Sequence, residues 1–391
     1  MKQRRSRATI LLAGGGTGGH VFPMVAVADA LRRLVPDLRL VFVGTEKGVE
    51  TRVVPERGYE LELLEVAPIR GGGFRGAAWG VWRAAASLPE AWRLVAHLEP
   101  KAVFSLGGYA AGPVSLAARL RGIPLTLNEP NAVIGLANQL IAPLVTRAYT
   151  AFPEPERHFV PSAVLRSGVP IRAGFDPRPY RRCSPQLNVL VLGGSQGAKA
   201  LNEAMPEALS LTRTGVRVVH QCGPAHTDEV AARYTSLGAG ERAEVVPFIR
   251  DMPAALAAAE LVVSRAGASA VSEICAVGRP SILVPYPYAA ADHQRHNALS
   301  VERAGAGLCI VNEAATPAHL ATQIDRMAAD DGVLERMANR ARELGRPDAA
   351  TTIARDLLKL AGLEAGAQPA RRGGVEGERT HDPVRFATAE V

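Results

Sequence analysis

The stretch ATILLAGGGTGGHVFPMVAVADALRRL, residues 8–34, decides the fold. Its apolar run Ala8 to Ala13 is too short for the core of a secretory signal and stops in glycines, so it reads as a first β-strand. Beyond Gly14–His20, Val27, Leu31 and Leu34 recur at i, i+4 and i+7, the spacing of a helix with one buried face. Strand, glycine turn and helix in that order open a parallel βαβ sheet. LRLVFVG ending at Gly44, KAVFSL (101–106), PLTLNE (124–129) and RAYTAF (147–152) read as further strands of one doubly wound sheet.

The plan breaks between about residues 160 and 186, where five prolines and several arginines leave no sustained periodicity. It restarts with LNVLVLGG and the loop SQGAKA, followed by the strands VRVVHQC, AEVVPFI, ELVVSRAG and SILVPY. The expected organisation is a first domain over 1–163, a hinge over 164–186, a second domain over 187–361 and a tail over 362–391 without fixed structure. The expected fold class is therefore α/β, with two Rossmann-like parallel-sheet domains facing a cleft. The helical stretch TTIARDLLKLAGL before the tail suits a place on either domain.

Composition sets the outer limits. A length of 391 residues favours two cores over one. A formal charge of +7 permits attraction to phosphates, anionic lipid or nucleic acid, and an aromatic content of 5% speaks against an aromatic-rich nucleic-acid binder. The four cysteines are far apart and form no C-x-x-C, so neither a zinc site nor a disulfide framework is indicated, and a reducing cytoplasm is the expected home. No window approaches the roughly 18 apolar residues of a membrane span, so membrane contact is expected to be peripheral. The stretch Gly71 to Leu98 holds all three tryptophans, Trp79, Trp82 and Trp92, interleaved with arginines. That pattern suits an anionic lipid interface, and equally a core-facing helix at some positions.

Gly14 to Gly19 satisfies G-x-G-x-x-G between a strand and a helix, where free N–H groups and the helix terminus favour phosphate or developing negative charge. A dinucleotide site wants an acid at the end of the second strand, yet Val43-Gly44 stands there, with Glu46 near. The second domain opens alike with Gly193 to Ala198, which would face the first loop across a cleft. Farther on, SRAGASAVSE places Glu273 about one turn inside a helix, where a carboxylate can bridge two ribose hydroxyls or simply complement the helix dipole. In the loop from Pro285 to Asn297, Gln294 and Asn297 suit sugar hydroxyls.

Together GGGTGGHVFP, FSLGGYAAGP, NEPNAVIGLAN, LGGSQGA, SRAGASAVSE and the DHQ…N loop, in this order over about residues 8–360, resemble the MurG family of peptidoglycan glycosyltransferases. The resemblance implies a UDP-N-acetylglucosamine donor held mostly by the second domain. It also implies an undecaprenyl-linked muramoyl-pentapeptide acceptor approaching the first, at the cytoplasmic face of the membrane. No metal, other cofactor or nucleic acid is implied. By motif, Ser195 would meet the diphosphate, Glu273 the ribose and the backbone of Ile249 the uracil, with Ala268, Ser269, Ala270, Val271 and Ser272 as the phosphate-facing turn. Gln294 would hold the sugar, joined across the cleft by Asn131, Thr17, Gly18 and Gly19, while Arg172 approaches the nucleotide. The chain departs from the family where Asn128-Glu129-Pro130-Asn131 replaces HEQN and where His293 replaces a common glutamine. The implied reaction is an inverting displacement by the muramoyl 4-hydroxyl, with His20 as candidate base and Glu129 as the alternative. A diacylglycerol glycosyltransferase, a UDP-N-acetylglucosamine 2-epimerase and a non-catalytic nucleotide-binding module are the rival readings.

Overall fold

A computed structural model describes residues 8–363 apart from 17, 66–86, 109 and 183–184. Its first sheet contains β1 (Thr9–Gly14), β2 (Arg39–Gly44), β3 (Glu60–Leu63), β4 (Ala102–Gly107), β5 (Leu125–Glu129), β6 (Arg147–Thr150) and β7 (Val164–Arg166), in the order 3-2-1-4-5-6-7. Its second contains β8 (Leu187–Leu192), β9 (Val216–Gln221), β10 (Ala243–Val246), β11 (Leu261–Ser264), β12 (Ser281–Leu283) and β13 (Gly307–Cys309), in the order 10-9-8-11-12-13. Every pairing among the described residues is parallel. The two-sheet α/β fold expected from the sequence is the one observed.

The continuous apolar runs follow from burial on both faces, the condition that helices impose when they cover a parallel sheet. Along β1, Ile10 and Leu12 join one core while Leu11 and Ala13 join the core on the opposite face. Along β8, Val189 and Val191 part from Leu190 and Leu192 in the same way. Strand order reverses beside β1 and again beside β8, so the loops leaving β1 and β4, and those leaving β8 and β11, diverge to open a crevice at each carboxyl edge. Both glycine loops lie at these crevices.

The closing helix Ala349–Leu360 crosses back to the first domain. Its residues Ala350, Ile353, Ala354 and Leu357 share a core with Val21, Met24 and Leu31 of the helix Gly18–Leu34. Asp356 accepts hydrogen bonds from Arg147 Nε and the Tyr149 hydroxyl, both at 2.9 Å. The amphipathic pattern of this helix announced a partner without saying which. β7 adds to the edge of the first sheet, so the irregular connection begins after Arg166.

Residues 66–86, with Trp79 and Trp82, and the tail from 364 onward lie outside the described residues. The helix Leu88–Leu98 buries Ala91, Val95 and Leu98 and leaves Trp92 39% exposed, with the Arg121 guanidinium 5.1 Å from its ring centre. That part of the stretch therefore has both a core face and an exposed aromatic beside an arginine. No described helix is long and apolar enough to cross a membrane.

Candidate active site

The first glycine loop joins β1 to the helix Gly18–Leu34 and passes over Glu50, a fully buried carboxylate at the start of the helix Glu50–Glu56. Glu50 accepts from the Gly16 amide at 2.9 Å and from the Thr45 amide and hydroxyl at 2.9 and 3.1 Å. Any side chain at Gly15 would collide with it, because a Cβ there would stand 2.1 Å from Oε1. His20, half-buried in the first turn, brings Nδ1 to 3.1 Å from the Gly15 carbonyl. A carbonyl only accepts, so Nδ1 carries the hydrogen and Nε2 keeps its lone pair. Burial pushes the imidazole below its ordinary pKa; the Gly15 carbonyl and Glu50 pull it up, and His293 opposes them. At neutral pH His20 is thus an uncharged acceptor. Gly18 and Gly19 open the helix beside it, and Thr17 lies outside the described residues.

The second glycine loop leaves Ser195 exposed ahead of the helix Lys199–Leu211. Gln221, buried at the end of β9, was not singled out by the sequence, yet it ties this side of the cleft together. Its Nε2 donates to the Gly194 carbonyl at 2.9 Å, and its Oε1 accepts the Ile249 amide at 2.8 Å. The Ile249 amide is thereby bound within the protein, and its carbonyl is the backbone group left for another partner. Glu273 sits past the first turn of the helix Ala268–Val277, so it is not a first-turn dipole partner. Its side chain is 20% exposed and lies 3.8 Å from Arg172 Nε. Burial pushes its carboxyl up to about 7, with Arg172 pulling the other way. Ala268, Ser269 and Ala270 are partly exposed at the helix N-terminus, while Val271 and Ser272 line a second interdomain crevice bordered by Glu154 and Arg303.

One buried network joins the domains. Asn297, with no exposed surface, accepts from the Ala132 amide at 2.8 Å and donates to Asn131 Oδ1 and the Ala266 carbonyl, each at 3.1 Å. Its side chain is thereby committed to protein groups, and Asn131 is held with it. Gln294, one helical turn earlier, accepts from the Ala266 and Tyr286 amides at 3.2 and 3.0 Å, which leaves its amide hydrogens for a ligand. Glu129 backs Asn131, accepting from its amide at 3.1 Å, from the Gly135 amide at 3.1 Å and from Asn138 Nδ2 at 2.8 Å. Burial raises its pKa against these hydrogen bonds. Asn128, next to it, is buried and donates to the Tyr149 carbonyl at 3.0 Å. His293 follows two left-handed residues, Ala291 and Asp292, each at φ 51°, and brings Nδ1 to 2.8 Å from the Ala290 carbonyl. Such backbone strain in non-glycine residues accumulates at functional loops.

Comparison with known proteins agrees with this geometry. The glycosyltransferase family 28 N-terminal domain matches residues 10–150, and the family 28 C-terminal domain matches residues 188–353. A protein of Sorangium cellulosum (strain So ce56), named UDP-N-acetylglucosamine--N-acetylmuramyl-(pentapeptide) pyrophosphoryl-undecaprenol N-acetylglucosamine transferase, is 53% identical over 90% of this chain and 88% of its own. A protein of the same name from Syntrophus aciditrophicus (strain SB) is 39% identical over 88% of this chain and 96% of its own. The crystal structure of Acinetobacter baumannii MurG matches with a TM-score of 0.77 at 32% identity, covering 90% of this chain and 99% of that one. A putative UDP-N-acetylglucosamine 2-epimerase from Listeria monocytogenes, at a TM-score of 0.63 and 15% identity, shares the fold alone. With both domain models matched in order and likeness over nine-tenths of its length, the chain belongs to glycosyltransferase family 28, among the MurG transferases.

Proposed function

We propose that the chain transfers N-acetylglucosamine from UDP-N-acetylglucosamine to the muramoyl 4-hydroxyl of undecaprenyl-diphospho-N-acetylmuramoyl-pentapeptide, with inversion at the anomeric carbon. The observation that carries this reading is the 53% identity, over 90% of the chain, to a transferase named for that donor and acceptor. The donor lies along the second domain, with uracil at the Ile249 carbonyl and ribose at Glu273 near Arg172. Its diphosphate meets Ser195 and the amides of Ala268 to Ala270. Gln294 offers its amide to the sugar. As the acceptor oxygen bonds to the anomeric carbon, the bond to the diphosphate breaks and its electron pair leaves on UDP. The helix terminus and Ser195 stabilise that growing charge. From the other domain, His20 Nε2 takes the hydroxyl proton.

The lipid-linked acceptor requires a membrane surface, and peripheral attachment at the cytoplasmic face through the first domain fits it. The basic net charge of +7 suits anionic lipid, and Cys222, Cys275 and Cys309 stand as free thiols, as a reducing compartment favours. Purified protein given UDP-N-acetylglucosamine should release UDP and form product with the muramoyl lipid only. Equal transfer to diacylglycerol, or conversion of the donor with no acceptor at all, would replace this reading with one of its rivals.

A further inference from the structure

We infer that Glu50 is a positioning residue for the base, linked to His20 through the single peptide unit between Gly15 and Gly16. The inference rests on His20 being the base. That peptide presents its carbonyl to His20 Nδ1 at 3.1 Å and its N–H to Glu50 Oε2 at 2.9 Å. Imidazole, peptide and carboxylate thus form a continuous hydrogen-bonded line, Nδ1–H to O=C and N–H to carboxylate. Withdrawal of the amide hydrogen by a carboxylate makes the carbonyl a better acceptor, which steadies the imidazole when it gains a proton.

The local sequence is shaped around this carboxylate. A Cβ at Gly15, Gly44 or Gly48 would stand 2.1, 2.5 or 1.9 Å from a Glu50 side-chain atom, so three glycines from three segments clear its place. In a dinucleotide fold, the amides of such a turn are left for pyrophosphate. Here an internal carboxylate takes the Gly16 amide, and two more donors come from Thr45 at 2.9 and 3.1 Å. The first loop therefore carries its own anion, which leaves the donor diphosphate to the second. Burying an ionised group is costly unless it is fully hydrogen-bonded, and the position gains a use in supporting a base that must hold a proton in a dry cleft. Among the described residues, the charged and titratable groups that act on His20 are Glu50, which favours its protonated form, and His293, which opposes it.

Glu50→Gln keeps the shape and removes the charge. The protonated imidazole then loses support, its pKa falls, and a weaker base remains. The plateau of the acceptor kcat/KM should drop about two- to threefold or more, and its acidic limb should move to lower pH by about half a unit or more. UDP affinity should stay within about twofold. An unchanged limb and plateau, or an equal loss in UDP affinity, would overturn the inference. In a His20→Ala background the substitution should cost nothing further. If His20→Ala alone is active, the base reading fails; if it is inactive while Glu50→Gln is normal, only the Glu50 inference fails. Should Glu50→Gln not fold, imidazole 15N shifts of the unaltered protein decide, with the His20 signal assigned by its loss in His20→Ala. The tautomer protonated at Nδ1 is expected, and the Nε2–H tautomer overturns the relay.

Discussion

Turnover of the His20→Ala variant is expected to fall about 10²- to 10⁴-fold while UDP affinity changes by less than about threefold. Proton removal by a positioned base accounts for a loss of that size, and the proposed donor site is on the other domain. Three features of His20 suit the task. Its Nδ1 is occupied by the Gly15 carbonyl, its Nε2 is left with a lone pair, and burial keeps it neutral at the working pH. Single-turnover rates with calorimetric UDP titration check the split. Near-normal turnover would make His20 a helix-terminal residue only. Glu129 would be a difficult replacement, because Asn131, Gly135 and Asn138 already bind both its oxygens.

Glu273→Ala is expected to weaken UDP binding about ten- to a hundredfold, since hydrogen bonds to a charged group contribute about 1.5 to 3 kcal/mol. A 2′,3′-dideoxyribose analogue should lose much less, and equal losses would reduce Glu273 to a support for its helix. The carboxyl's position also fixes signs for pH. In the free cleft burial pushes it up to about 7, and ribose hydroxyls bond to the ionised form. UDP binding should therefore tighten as pH rises through about 7 and release a proton there, visible as a buffer-dependent heat. For folding the sign is opposite. A carboxyl raised from 4.5 to about 7 holds its proton longer in the folded state, so stability declines as pH climbs across that interval. Glu273→Gln should be more stable than the parent at pH 8 by about 1 to 3 kcal/mol, the upper end reduced because the side chain is partly exposed. Loss of binding with a gain in stability is the mark of a residue kept for its ligand.

The fold was legible because both sheets are covered on two faces, which writes each strand as an unbroken apolar run and each switch point as a glycine turn. The domain joined by the closing helix was not, since an amphipathic face specifies a neighbour's chemistry and not its address. Of the proposed site, His20, Glu273 and Gln294 could be named from the ends of strands and the starts of helices. Asn297 could be picked out too, but its partners could not. A polar side chain in a ligand loop looks the same in sequence whether it faces a sugar or, as here, ties Ala132 to Ala266. Gln221 and Glu50 were missed because each is one polar residue at the edge of an ordinary element. For Glu50 the usable signal was the cluster Gly44, Gly48 and Gly15, which is more glycine than the turns themselves require.

With the leaving diphosphate proposed on one domain and the base on the other, the acceptor must attack from the face opposite the leaving group. The anomeric configuration of the disaccharide made from UDP-N-acetylglucosamine and the muramoyl lipid tests this most directly, read from the proton coupling of the new linkage. A β-linked product is predicted. An α-linked product, formed with retention, would contradict the opposed arrangement of His20 and the second glycine loop.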